Sequence, residues 1–206
     1  MKKLNLANQD YFPIFSSLPE DHKLDERYFS APDADGGSGP LKHWCLLGEI
    51  TEIIKYSRPL YKVKDKAGKV FTVACYFDND QARPQWMKYT KPGNTISVMY
   101  ADKHFFMDGQ LGIRLEDVER VNVYLCTLNT FLELPNKVTS LRSSKNCQSC
   151  KEYARRQCES CRLRYCDKEC QKLHWAQSHK RECRAIAQIA EWKRKEWSVF
   201  HDAYWC

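Results

Sequence analysis

CQSCKEYARRQCESCRLRYCDKECQKLHWAQSHKREC, residues 147–183, packs seven cysteines into thirty-seven positions, with a histidine four positions before the last. The spacing is Cys147-x2-Cys150-x7-Cys158-x2-Cys161-x4-Cys166-x3-Cys170-x8-His179-x3-Cys183. Two C-x2-C pairs suit metal, because a tight turn lets both sulfurs face one ion about 2.3 Å away. Cys166/Cys170 and His179/Cys183 are each spaced i,i+4, which sets both side chains on one face of a helix. Eight nitrogen and sulfur ligands make two closed tetrahedral zinc sites with no position left for water. Such sites are structural and argue against metal catalysis. Spacing leaves the pairing open, since interleaved and sequential arrangements use the same eight residues. His174 rivals His179, but its separation from Cys183 does not put the two on one helical face so directly.

Energetics point the same way. The segment is shorter than the roughly 40 residues below which a chain usually needs metal or disulfides to fold. A structural zinc contributes about 10–16 kcal/mol of folding free energy in small peptides at neutral pH. The module is therefore expected to be unfolded without metal. The first residues, MKKLNLANQDYF, hold no apolar core of a signal peptide. No run approaches the roughly 20 apolar residues of a membrane span. The expectation is a cytoplasmic or nuclear protein with no membrane association, where thiols stay reduced. The remaining cysteines, Cys45, Cys75, Cys126 and Cys206, lie far from the cluster, and three of them sit in or beside strand-like segments as small apolar side chains.

The net charge of +7 is unevenly placed. Residues 1–40 hold 4 basic and 7 acidic side chains, residues 41–130 hold 13 and 10, and residues 141–206 hold 15 and 8. The excess sits with the cysteines. Seven thiolates on two Zn²⁺ ions leave −3, so Arg155, Arg156, Arg162, Arg164 and Lys168 serve partly as counter-charge to sulfur.

Upstream the hydrophobic period changes to two. Phe71, Val73, Cys75 and Phe77 share one face of a strand, as do Ile96, Val98 and Tyr100, and Val121, Val123 and Leu125. Asp65-Lys66-Ala67-Gly68 and Asp108-Gly109 read as hairpin turns. A long first strand containing Gly48, a hairpin, a non-strand insert over DNDQARPQWMKYTKPGN and further strands suggest a small closed antiparallel Greek-key barrel, which resembles an OB-fold; another five- or six-stranded antiparallel barrel or sandwich is the alternative. Residues 1–32 read as an arm lying on a domain or as a mostly mobile segment, and PDADGGSGP (32–40) as a linker. Beyond Cys183, Ile186, Ile189, Ala190 and Trp197 have helical spacing.

The ligand spacing, Tyr165-Cys166, Cys170-Gln171 and Trp175 ahead of His179 resemble a MYND-type zinc finger over 147–183. The resemblance implies cross-braced sites: Cys147, Cys150, Cys166 and Cys170 on one ion, Cys158, Cys161, His179 and Cys183 on the other. It also implies protein docking, in which short proline-rich peptides lie in a shallow groove beside the second helix. Gln171 and Trp175 match the positions that contact such peptides. Trp175 packed beneath the finger as core is the competing assignment. Arg155 stands where one peptide-binding member carries a small hydroxyl residue, which bears on ligand preference.

The whole reads as an α+β protein. An arm and linker (1–40) precede an OB-like β-barrel (41–128), a connector (129–146), the two-zinc finger (147–183) and a C-terminal helix (184–206). The expected function is zinc-dependent protein–protein interaction of an adaptor or regulatory kind. The alternative is single-stranded nucleic-acid binding by the barrel, with Tyr61, Tyr76, Trp86, Tyr100, Phe105 and Phe106 as candidate stacking residues and the finger as accessory. No enzyme activity is expected. Residues 41–130 carry no glycine-rich cofactor loop, no H-x-D iron pair and no nucleophile–base set; His43 and His104 are their only histidines.

Overall fold

The computed structural model describes residues 4–56, 58–77 and 85–200. It divides into two compact units, one of residues 6–123 and 196–206, the other of residues 1–5 and 124–195.

The first unit is built on strand β1 (Cys45–Ile54), which pairs antiparallel with both β2 (Leu60–Asp65) and β4 (Thr95–Met99). Gly48 has partners on both sides, Asp65 and Ile96. A Cβ at that position would lie 2.3 Å from Val63 Cγ1, so only glycine allows the neighbouring strand to approach this closely. β2 turns into β3 (Val70–Cys75) through the loop anticipated at residues 65–68. Asp65 closes that loop by accepting from the Ala67 and Lys69 amides, both at 2.9 Å, and Gly68 supplies a φ of +87°. The second turn also forms. β5 (His104–Phe105) and β6 (Leu111–Leu115) flank Asp108-Gly109. β7 (Val121–Tyr124) completes the order β5-β6-β3-β2-β1-β4-β7.

This is an OB-like arrangement, with two departures from the sequence expectation. The sheet is mixed, because β6 runs parallel to β3 (Thr72 opposite Gly112). It is also open. β7 takes the free edge of β4 and the short β5 takes that of β6. β4 and β6 thus flank a cavity of about 420 Å³, lined by Val98–Ala101 on one wall and Ile113–Glu116 on the other.

Of the two alternatives for the N-terminal segment, residues 6–32 follow the arm packed on the OB-like unit. Phe12, Phe15, Leu18 and Tyr28 are buried, and Phe15 stacks on Phe71 with centroids 4.2 Å apart. The Phe15 amide donates to Asp65 Oδ2 at 2.8 Å, while Lys66 Nζ donates to the carbonyls of Leu6 (2.7 Å) and Phe12. The glycine-rich stretch 32–40 is a surface loop tied at its base, with Ser30 N donating to Gly39 O and Leu41 N to Tyr28 O, each at 2.8 Å. The non-strand insert contains a short 3-10 helix (Gln85–Tyr89) that buries Trp86; residues 78–84 of the insert lie outside the described residues.

In the second unit, the expected connector instead forms helix α1 (Leu128–Ser143), started by Thr127 Oγ1 accepting from the Thr130 amide. Its buried face (Phe131, Leu134, Val138) packs with α3 (Lys180–Trp192), whose Ile186, Ile189 and Trp192 are buried. α1 continues through Pro135, and Lys193 Nζ donates to the Pro135 carbonyl at 2.6 Å. The C-terminal helix is shorter than residues 184–206. Residues 196–200 belong to the first unit, where the Trp197 ring lies 4.5 Å from Phe12 and its carbonyl accepts from His43 N at 3.0 Å. Cys206 lies outside the described residues. Among the described residues no helix is long and apolar enough to cross a membrane.

Candidate metal centre

Each C-x2-C pair sits in a tight turn. The Lys151 amide donates to Cys147 O (3.1 Å) and the Arg162 amide to Cys158 O (2.9 Å). The residue following each pair takes the left-handed conformation, Lys151 at φ 69° and Arg162 at φ 66°. This uncommon non-glycine geometry thus recurs at the same place in both turns. The hairpin of β8 (Arg156–Gln157) and β9 (Arg164–Tyr165) then brings Cys166 back beside Cys150. Helix α2 (Lys168–His174) begins at Asp167, whose Oδ1 accepts from the Cys170 amide at 2.8 Å. A π-turn (Trp175–His179) connects α2 to α3.

These elements gather two sets of four. Cys147, Cys150, Cys166 and Cys170 form one, and Cys158, Cys161, His179 and Cys183 the other; within each set the ligand atoms lie within 4.8 Å of one another. The pairing is interleaved. Cys150 and Cys166 sulfurs are 3.5 Å apart, Cys158 and Cys183 sulfurs 3.6 Å, and Cys161 Sγ lies 3.5 Å from His179 Nε2. Zinc at 2.3 Å from sulfur and 2.0–2.1 Å from nitrogen requires tetrahedral edges of about 3.8 Å (S–S) and about 3.6 Å (S–N). A disulfide would need about 2.05 Å. The two sets fit two structural zinc sites.

The thiols of each set are pushed in opposite directions. The Cys158 thiol is held well below the ordinary thiol range by hydrogen bonds from Cys161, Cys183 and His179. Burial raises Cys147, but the backbone N–H groups of Cys150, Cys166 and Ser149 outweigh it and bring the thiol down to about 6. Cys161 and Cys183 beside Cys158, and Cys166 and Cys170 beside Cys147, are pushed up instead, because clustered sulfurs resist carrying several negative charges at once. A divalent cation would offset that repulsion.

The sets differ in exposure. The second is buried throughout: Cys161 and His179 are at most 1% exposed, Cys158 and Cys183 5%. In the first, only Cys147 is buried; Cys166 and Cys170 are half-buried and Cys150 is exposed. Behind the buried set lies a group that the spacing did not reveal. Fully buried Tyr165 places its hydroxyl 2.9 Å from both His179 Nδ1 and His174 Nδ1. His174 is therefore hydrogen-bonded to the ligand shell and is not a ligand. Tyr165 was legible only as the residue preceding Cys166.

Gln171 and Trp175, the expected partner contacts, lie one turn apart; the Trp175 amide donates to the Gln171 carbonyl. Trp175 is 41% exposed, and its ring rests 5.4 Å from that of His179.

Residues 147–183 match the family model of the MYND finger. No curated protein matches the chain. Solved structures similar to it include the S. pombe Stn1–Ten1 complex (18% identity, 55% of this chain and 77% of that one, TM-score 0.35). Others are S. cerevisiae mitochondrial single-stranded DNA binding protein Rim1 (18%, 40% and 92%, 0.27) and fission yeast Pot1 with ssDNA (9%, 48% and 42%, 0.33).

Proposed function

We propose that this chain is a zinc-dependent docking protein whose MYND finger grips a short proline-rich segment of a partner protein, with Trp175 as the apolar wall and Gln171 as the polar contact beside it. The observation that carries this reading is the exposed Trp175 ring backed by zinc ligand His179. Zinc that fixes His179 also limits how far the indole can move, so little freedom is lost when a ligand stacks on it. A polyproline-like segment arrives already extended, and its ordering cost is low. α2 buries none of its own residues, and Leu173 beside Trp175 is exposed as well. The test is calorimetric titration of the zinc-loaded chain with a proline-rich peptide library, repeated with Trp175→Ala. Binding in the parent that weakens on the order of 30-fold or more in the variant, at unchanged zinc content, supports the reading. Equal binding by both refutes it.

A second reading rests on a different observation. In the OB-like unit, the guanidinium groups of Arg58 and Arg114 lie 3.8 and 4.5 Å from the Tyr76 ring centroid. Two cations around one aromatic ring suit a single-stranded nucleic acid, which offers both phosphates and stacking faces. Oligonucleotide binding with a steep salt dependence, lost in Tyr76→Ala, would support this reading. Binding that survives the substitution would remove it.

A further inference from the structure

The two zinc sites are chemically unequal, and we infer that the first is a modification site: a peroxide- or disulfide-reactive Zn(Cys)4 centre that releases its ion by joining Cys150 to Cys166, while the second keeps the finger's core folded.

Three observations carry this. The first is access: Cys150 is exposed and Cys166 and Cys170 are half-buried, whereas all four ligands of the other set are buried. An oxidant meets sulfur at one site and covering side chains at the other. The second is charge. Four thiolates around Zn²⁺ leave −2, against −1 for three thiolates and a neutral imidazole. Sulfur in the first site is thus the more electron-rich and the better nucleophile. The third is geometry. Cys150 and Cys166 sulfurs stand 3.5 Å apart, on a turn and at the end of a two-residue strand, so a modest movement brings them to bonding distance. Cys147 is the protected member of the set, buried and accepting from the Ser149 amide at 3.4 Å.

The reaction balances with hydrogen peroxide as oxidant. The Cys150 thiolate attacks one peroxide oxygen, the O–O bond breaks, and the hydroxide that leaves takes a proton to become water. The sulfenic acid on Cys150 is then attacked by the Cys166 thiolate. A sulfur–sulfur bond forms, the S–O bond breaks, and a second hydroxide leaves as water after protonation. Two sulfurs have given up two electrons in all, and Zn²⁺, short of two ligands, is released without a change of oxidation state. A small disulfide reacts by exchange: Cys150 forms a mixed disulfide, and Cys166 resolves it with expulsion of a second thiolate. Both routes are reversed by a thiol reductant together with zinc.

Asymmetric burial also sets the consequence. The second site, with Tyr165 behind His179, retains its metal when the first is open. The finger then becomes a half-folded, zinc-releasing state rather than an unfolded chain.

The experiment uses the full zinc-loaded chain, hydrogen peroxide and a chromogenic zinc chelator, with cysteine labelling and disulfide mapping at timed points. The expected course is biphasic. One zinc equivalent appears roughly tenfold or more ahead of the second, a Cys150–Cys166 disulfide accumulates in that phase, and Cys158, Cys161 and Cys183 stay protected. Cys150→His keeps a ligand at the exposed corner but removes the attacking sulfur, and is expected to suppress the fast phase. Release of both equivalents in one phase would overturn the inference. So would first modification at Cys158 or Cys183, whose sulfurs are equally near at 3.6 Å but buried. These readouts come from the parent chain alone, so the inference is tested even if Cys150→His fails to fold.

Discussion

Replacing Tyr165 with Phe removes one oxygen from the interior of the finger. When zinc takes the Nε2 lone pair of His179, the ring proton must sit on Nδ1, 2.9 Å from the Tyr165 oxygen, which accepts it. The Tyr165 hydroxyl then has its own proton to donate to His174 Nδ1, also at 2.9 Å. Burial raises the Tyr165 pKa, so the phenol stays protonated; burial likewise lowers that of His174, which is thereby the neutral acceptor this chain needs. Phenylalanine keeps the packing but leaves the His179 Nδ1–H without an acceptor, in a ring that is 1% exposed. An orphaned buried donor costs about 1–3 kcal/mol. Loss of an outer-shell partner typically lowers metal affinity about 10–100-fold, the same range expressed as an equilibrium. Competition against a chelator of graded concentration reads the two sites separately. Tyr165→Phe is expected to shift release from the second site by about 10–100-fold while the first site holds its affinity. Unchanged affinity at both sites would refute the relay. An equal shift at both would show that the substitution acts through general loosening of the fold.

Gly48→Ala places a methyl 2.3 Å from Val63 Cγ1 and is expected to lower the stability of the OB-like unit by roughly 1–3 kcal/mol in chemical denaturation, with zinc content unchanged. Asp65→Ala deprives the amides of Phe15, Ala67 and Lys69 of their acceptor and is expected to cost on the order of 3 kcal/mol, with faster hydrogen exchange in residues 6–18. Trp175→Ala is expected to leave both zinc ions bound and the far-ultraviolet spectrum intact while peptide capture is lost, because the ring is 41% exposed. Loss of folding instead would make Trp175 a core residue.

The zinc ligands were legible in the sequence because they are local. A C-x2-C turn and an i,i+4 helical pair each place two donors together whatever the rest of the chain does. Their distribution between two ions was not, since it depends on the β8–β9 hairpin returning Cys166 to Cys150. The strands and both hairpin turns were readable from apolar spacing and from Asp and Gly positions. Phe77, Tyr100 and Leu125, expected on strand faces, however lie just beyond β3, β4 and β7, and β4 is buried at Thr95 and Ser97 as well as at Ile96 and Val98. The parallel pairing of β3 with β6 was not readable, because register between distant strands leaves no periodic mark. Phe12, Phe15 and Leu18 hid as core because they sit on irregular backbone, where hydrophobic period carries no signal. Helix α1 was masked by Pro135 and by its Asn, Thr and Ser residues. The spacing of Leu128, Phe131, Leu134 and Val138 was the signal that could have revealed it.

Cross-braced zinc coordination underlies the proposed docking surface, the predicted tyrosine relay and the inferred difference in reactivity between the sites. Cadmium-113 substitution with cadmium–proton correlation tests it most directly. Two resonances are predicted, one coupled to the β-protons of Cys147, Cys150, Cys166 and Cys170, the other to those of Cys158, Cys161 and Cys183 and to the His179 ring. Coupling of a single cadmium to Cys147, Cys150, Cys158 and Cys161 would mean sequential sites and would contradict the account.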